Sequence, residues 1–227
     1  MRVVVSWSSG KDSALALHRL RRREQVTVVG LLTTVNARRR RVAIHGVREA
    51  VLDAQARALG LPVIKVPLPE PCPNAVYEER FTAALDRLKG QGVQAIAFGD
   101  IFLADVRAYR ERLLKAVGLA GLFPLWGEET SLLAREMIAS GIRARISAIQ
   151  RDRLGAHFLG RRFDEALLAA LPTDVDPCGE NGEFHSCIEM MPGFHTPLVL
   201  RTGRKVMRQN AGFIDLVPVP CPNEAQE

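Results

Sequence analysis

The sequence predicts an α/β protein: a parallel sheet with helices on both faces and a small C-terminal extension. Three observations lead there. The chain opens on Arg2–Ser6, a β-branched run that halts at a Ser/Gly cluster and passes straight into a helical pattern. Apolar strand-like runs then alternate with segments of helical spacing as far as residue 150. Such βαβαβ alternation needs crossover helices, which cover both faces of a parallel sheet. After Asp152 the alternation stops, and the TDVDPCGENGEFHSC stretch is Gly-, Asp- and Glu-rich without periodicity.

The elements follow in order. Ser13–Arg23 carries Leu15, Leu17 and Leu20 at helical spacing and ends in arginines, which suit a helix C-terminus. Val26–Thr33 is a second β-rich run, and Val47–Leu59 reads as a helix stopped by Gly60. Pro62–Pro67 gives a third strand, Tyr77–Lys89 a helix, and Val93–Phe98 a fourth strand ending at Gly99-Asp100. Helices at Val106–Val117 and Ser131–Ser140 flank the turn-rich FPLWGEE segment, and Ile142–Ile149 is expected as the fifth strand. Asp164–Leu171 is helical, and Pro197–Val219 alternates like a pair of strands.

Composition narrows the class. The chain has 227 residues, 47% hydrophobic and 25% charged, ordinary for a globular protein able to bury its own core. It has no run of about 18 apolar residues, so no membrane span is expected. The apolar run at the N-terminus is too short for an export signal. Four cysteines, Cys72, Cys178, Cys187 and Cys221, are too sparse for a disulfide framework. The cytoplasm is the expected compartment. The net charge is +6, with arginine clusters at 21–23 and 38–41. These suit either an anionic partner or a solvated surface. No aromatic residues interleave them, so the solvated surface is favoured and nucleic acid is not an expected partner.

The first strand runs directly into Ser8-Ser9-Gly10-Lys11-Asp12-Ser13 and then into a helix. In a parallel sheet that loop lies at the carboxyl edge, where ligands bind. Small residues let backbone amides approach an anion, and the helix N-terminus favours negative charge. Ser8 and Ser13 add hydroxyls, and Lys11 can neutralise a phosphate oxygen. The alternative is a plain helix start capped by Asp12 or Ser13. Neither a Walker loop nor a dinucleotide fingerprint fits, since the required glycines are missing.

The loop does resemble S-G-G-x-D-S, the PP-loop of the N-type ATP pyrophosphatases, matching five of six letters with Ser9 in place of a glycine. That resemblance implies a Rossmann-like PP-loop (adenine nucleotide alpha hydrolase) fold that cleaves ATP to AMP and pyrophosphate. The nucleotide contacts expected are Ser6, Ser8, Ser9, Gly10, Lys11, Asp12 and Ser13, joined at the same sheet edge by Gly99 and Asp100. Asp12 and Asp100 are the candidate ligands for Mg²⁺. On this reading residues 1–150 form the ATP-binding domain and 151–227 a substrate-facing region.

Further stretches widen the resemblance. SWSSGKDSALAL, the HGV at His45–Val47, FGDIFLADVRAYRE at Phe98–Glu111, FPLWGE at Phe123–Glu128 and DPCGENGEFHS at Asp176–Ser186 are similar to the diphthine–ammonia ligase family. The family implies ATP, a carboxylate-bearing substrate activated as an adenylate, and ammonia or an amine as the nitrogen donor. Lys11, Asp12, Glu180, Glu183 and His185 are then the candidate catalytic residues. Glu180 or Glu183 would orient ammonia and take its proton. Arg107 and Arg110, three apart on one helix face, join Gly179, Glu180 and Glu183 as candidate substrate contacts. Cys178, His185, Cys187 and His195 lack the C-x-x-C pairing usual in zinc sites, so zinc is a minor alternative. Activation of an RNA base for thiolation or amination, and a non-catalytic nucleotide-binding protein, remain as other functions of the same loop. The acceptor is not legible, nor is the oligomeric state, a homodimer being one option.

Overall fold

In the computed structural model, residues 1–219 are described. The hydrophobic alternation of the first strand organises the larger half. In β1 (Arg2–Ser6), Val3 and Val5 point to one face of the sheet and Val4 to the other. The first face packs against α1 (Lys11–Arg21), α2 (Glu49–Leu59) and α5 (Thr130–Ala139). The second packs against α3 (Asn74–Gly90) and α4 (Ala104–Val117). Period-two alternation thus places helices on both sides, as the sequence predicts.

β1 is central. It pairs in parallel with β2 (Thr27–Asn36) on one side and β5 (Ala95–Ala97) on the other. β4 (Val63–Leu68) extends the sheet beyond β2, and β6 (Ala120–Leu122) beyond β5, both in parallel. Beyond the end of β1, the short β3 (Arg41–Val42) pairs antiparallel with β2. The helix α2 ends where expected, at Gly60 in the left-handed region with φ 64°.

The fifth-strand expectation is corrected. Arg143–Gln150, here β7, leaves the parallel sheet and joins β8 (Phe184–Met190), β9 (Leu200–Met207) and β10 (Ala211–Pro218). All contacts in this second sheet, ordered β8-β7-β10-β9, are antiparallel. A buried apolar strand looks the same in either kind of sheet, and its partners here lie 30 to 70 residues downstream, outside the reach of local pattern. The fifth parallel strand is the three-residue β6, too short to register as an apolar run. The β9–β10 hairpin is as expected, and α6 (Glu165–Ala170) is a helix capped by Asp164.

The two halves are joined by charge as well as packing. Asp215 on β10 accepts from Arg48 at 2.7 and 2.6 Å and from Arg41 at 2.9 Å. No helix among the described residues is long and apolar enough to cross a membrane. Cys72, Cys178 and Cys187 are free thiols, and Cys221 lies outside the described residues.

Candidate functional site

The site grows from the loop between β1 and α1. The helix starts at Lys11 with Gly10 as its cap position, a residue with no side chain to supply a capping bond. Neither Asp12 nor Ser13 therefore serves as the plain helix cap. Ser13 instead closes the loop: its Oγ donates to the Gly10 carbonyl at 2.9 Å and lies 3.1 Å from Ser8 Oγ. Ser8 Oγ accepts from the Gly10 amide at 3.3 Å. The result is a tight turn whose helix end favours an anion.

Two glycines are required by close approach. A Cβ on Gly99 would sit 2.8 Å from the Asp12 carbonyl carbon and 2.9 Å from the Ser13 amide. The segment after β5 therefore presses directly on the first turn of α1. A Cβ on Gly10 would meet His45 at 3.0 Å and the Ser186 carbonyl at 3.2 Å. Ser9, where the resembled motif has glycine, adopts φ 67°. A non-glycine residue in that region is strained, so the loop's geometry explains the motif's preference.

The second sheet supplies the far wall. Ser186 Oγ on β8 accepts from the Lys11 amide at 3.1 Å, and the Ile188 amide donates to the Ser9 carbonyl at 3.0 Å. An outer edge of the antiparallel sheet is thereby attached to the loop. Gln55 on α2 is wholly buried and ties the same region together. Its Nε2 donates to the carbonyls of Ile188 at 3.0 Å and Ser9 at 3.4 Å, while its Oε1 accepts from Trp7 at 3.0 Å.

Lys11 is 1% exposed, with its ammonium against the phenyl rings of Phe184 and Phe163 at 5.2 and 5.4 Å. It donates to both Asp12 oxygens, at 2.9 and 3.0 Å, and to the Cys178 carbonyl. Burial opposes its charge, but Asp12 beside it more than offsets that, and Lys11 stays protonated. Glu180 accepts from the Ile101 amide at 2.7 Å. Burial, aided by the nearby Asp12 and Asp100, pushes its carboxyl up to about 7. His45 and His185 face each other with ring centroids 4.5 Å apart. Burial holds His45 down to about 4 and His185 well below the usual range, so both are neutral near pH 7.

The remaining expected site residues divide. Asp100 is paired with Arg110, Oδ2 to Nε at 2.6 Å, while the Arg110 guanidinium lies over Phe98. Arg107 pairs with Glu111 at 2.8 Å and stacks on Phe123 and Trp126. Both arginines share a face, as expected, and pack on the segments following β5 and β6. Glu183, expected to meet substrate, is 1% exposed. Its Oε1 accepts from the Asp176 amide at 3.0 Å and from Asn181 at 3.2 Å. That geometry makes it the anchor of the 176–183 loop rather than a surface group. Asp176 does similar work, its Oδ1 accepting from the amides of Cys178 and Glu180. Gly179, at φ 69°, lets the loop pass close to Phe184. His195 lies near Gly60, and no group of three or more His, Cys, Asp or Glu among the described residues could hold a metal. The zinc alternative loses its ligands.

A cavity of about 550 Å³ opens beside the loop, lined by Ser6, Ser8, Thr33, His45, Tyr77 and Arg110 among others. That volume is typical of small-molecule sites.

Residues 1–121 match the family described as diphthamide synthase N-terminal domain, and residues 129–218 its C-terminal domain. The chain belongs to the diphthamide synthase family. The two family segments meet between the parallel and the antiparallel sheet, ahead of β7. Among curated relatives, a protein named diphthine–ammonia ligase from Schizosaccharomyces pombe is 27% identical over 126 residues. The match covers 54% of this chain and 21% of that protein, so this chain corresponds to about a fifth of the relative's length. A solved structure from Methanocaldococcus jannaschii, described as a predicted subunit of tRNA methyltransferase, is 18% identical with a TM-score of 0.44. It covers 65% of this chain and 80% of its own.

Several residues of this candidate site escape local sequence reasoning. Gln55 leaves a trace, as a polar residue inside the apolar stripe Val51, Leu52, Ala56 and Leu59. His45 and Ser186 carry none beyond their place in the family-like stretches, because only the fold brings them to Gly10 and Lys11.

Proposed function

We propose that this chain is an ATP-dependent, AMP- and pyrophosphate-forming ligase that activates a carboxylate as an adenylate and amidates it. One observation carries the reading. A buried, protonated Lys11 sits in the first turn of α1, at the end of a loop bordering a cavity of about 550 Å³. That combination suits a polyphosphate beside a nucleoside. Family membership and the ligase name of the relative support the same direction.

In this reading, Lys11 and the loop amides bind the pyrophosphate end of ATP, and Ser6, Ser8, Ser9, Gly10 and Ser13 shape the approach. The acceptor's carboxylate oxygen attacks the α-phosphorus, the α–β bridging bond breaks, and pyrophosphate leaves. Ammonia or an amine then attacks the acyl carbon, the acyl–oxygen bond breaks, and AMP leaves. One proton must come off the nitrogen. Glu180, poised at about 7, is ionised enough at neutral pH to accept it, whereas burial disfavours the protonated form of His185 and makes it the poorer acceptor. In this reading Asp12 and Asp100 would hold Mg²⁺, which usually takes one or two carboxylates plus phosphate oxygens. When bound it would neutralise phosphate charge. Lys11 and Arg110 already counter those two carboxylates.

Thiolation of an RNA base has less support. Burial drives the Cys178 and Cys187 thiols far above their usual range, so neither is a ready nucleophile. The deciding experiment incubates purified protein with ATP, Mg²⁺ and candidate acids plus ammonium, reading the phosphate product. Release of pyrophosphate with AMP supports the proposal, whereas ADP with orthophosphate would overturn it. Nucleotide binding without any turnover across acceptors would favour a non-catalytic role.

A further inference from the structure

A second cavity, of about 410 Å³, lies where the two sheets meet. Asn36, Leu68 and Glu70 bring to it the carboxyl ends of β2 and β4, and Val206, Arg208 and Phe213 the β9–β10 hairpin. Crevices between domains at the carboxyl edge of a parallel sheet are favoured ligand positions. This cavity also adjoins the nucleotide cavity. Val42, Ala43, Ile44, Leu68 and Cys72 line both, so the turn after β3 is a shared wall.

That wall is built under strain. Ile44 is 74% exposed and adopts φ 66°, although it is β-branched. Backbone of this kind concentrates at ligand sites, where surrounding structure holds it in place. Gly46, two residues on, is pressed on Phe213 so closely that a Cβ would lie 2.7 Å from the ring. The hairpin and the turn are thus in direct contact, and Ile44 offers an apolar surface to the space between the cavities.

Charge adds direction. Within the lining, Arg39 is paired with Glu70, and Arg41 with Asp215. Arg208 is different. Its charge is felt at Glu70, yet its guanidinium makes no hydrogen bond or ion pair among the described residues. Arg208 lines this cavity and not the nucleotide cavity. An anionic group held by it is therefore not the group that meets ATP.

We propose that this second cavity is the acceptor site, and that it takes a small molecule with an apolar body and two anionic groups. One is the carboxylate that passes the Ile44 turn toward the nucleotide; the other is held by Arg208. Val42, Ile44, Leu68, Val206 and Phe213 cover the apolar body. The assignment of the occupant as acceptor, and with it the carboxylate at the Ile44 turn, rests on the ligase reading; the apolar body and the anion held by Arg208 rest on the lining of the cavity.

The test uses the full chain and 1-anilinonaphthalene-8-sulfonate, an apolar anion that fluoresces when its rings leave water. The wild-type protein binds it saturably, and Arg208→Glu weakens binding by about tenfold while ATP affinity, read by calorimetry, stays unchanged. ATP and the probe bind together, since the two cavities are distinct. No saturable binding, equal binding by Arg208→Glu, or displacement of the probe by ATP would each overturn the proposal. Pyrophosphate release is not part of this readout, so failure here leaves the ligase reading standing, while failure of that reading removes the acceptor assignment and leaves the apolar, anion-holding cavity.

Discussion

The carbonyl of Ser9 receives the Ile188 amide at 3.0 Å while Ser9 itself holds φ 67°. The contact fixes the loop's most strained residue to the edge of the second sheet. Its hydroxyl is buried with no hydrogen-bond partner among the described residues. Both the left-handed backbone and the unpaired hydroxyl cost stability, each about 1 kcal/mol. Glycine would remove both and add back roughly 0.5–1 kcal/mol of unfolded-chain entropy. Ser9→Gly is therefore expected to stabilise the protein by about 1 kcal/mol, raising Tm by about 2–4 °C. A lower Tm in thermal unfolding would contradict the strain argument.

Gly99 acts on the same loop from the opposite side. A methyl group there would collide with the Asp12–Ser13 backbone at 2.8 and 2.9 Å, and backbone cannot rotate away as a side chain can. Overpacking of this type costs about 1–3 kcal/mol. Relief must come from shifting the first turn of α1, which carries Lys11. Gly99→Ala is expected to lower Tm and to weaken ATP binding by about tenfold or more, read by calorimetry. Unchanged ATP affinity would show that the loop tolerates displacement.

Asp215 joins the halves through Arg48 and Arg41. Hydrogen bonds from Arg48 and then Arg41 hold its carboxyl down to about 2 from 3.8. A depressed carboxyl gives stability that is present above pH 3.8 and lost as pH falls through about 2. The arginines are partly solvated, so the loss in Asp215→Asn is on the order of 1 kcal/mol. Hydrogen exchange should quicken in β10 and in the turn after β3 more than in β1. Uniform change across both sheets would argue against a local clamp.

What the sequence reveals follows from distance along the chain. The strand, loop and helix of residues 2–21 are contiguous, so pattern and motif suffice there. The opposite wall is harder. Phe184–Met190 sits within a polar stretch that resembles a loop, because His185, Ser186 and Glu189 interrupt any apolar alternation. Those polar residues serve the site and a neighbouring strand: Ser186 receives Lys11, and Glu189 pairs with Arg145. The setting of Glu183 is not legible for the same reason, since nothing local in the sequence shows that its carboxylate receives the Asp176 amide. Ser9, by contrast, is visible as the one letter out of place, and its φ gives that letter a physical meaning.

Opposed titrations around the loop give a last prediction. Burial raises Glu180 from 4.5 to about 7, so the folded protein keeps a proton that the unfolded chain loses. Its contribution is full below pH 4.5 and falls away as pH rises through about 7. His45 works the other way. Burial lowers it from 6.5 to about 4, so the unfolded chain binds the extra proton. Its contribution is present above pH 6.5 and lost as pH falls through about 4. The windows overlap, and the two slopes partly cancel. Removing Glu180 as a titrating group should expose the histidine slope: Glu180→Gln gains stability with rising pH more steeply than wild type between about pH 4.5 and 6.5. His45→Gln should show a flatter or falling curve over the same range. Urea unfolding at a series of pH values reads both. Parallel curves for all three proteins would mean that neither group titrates differently on folding, and would remove Glu180 as a proton acceptor near neutrality.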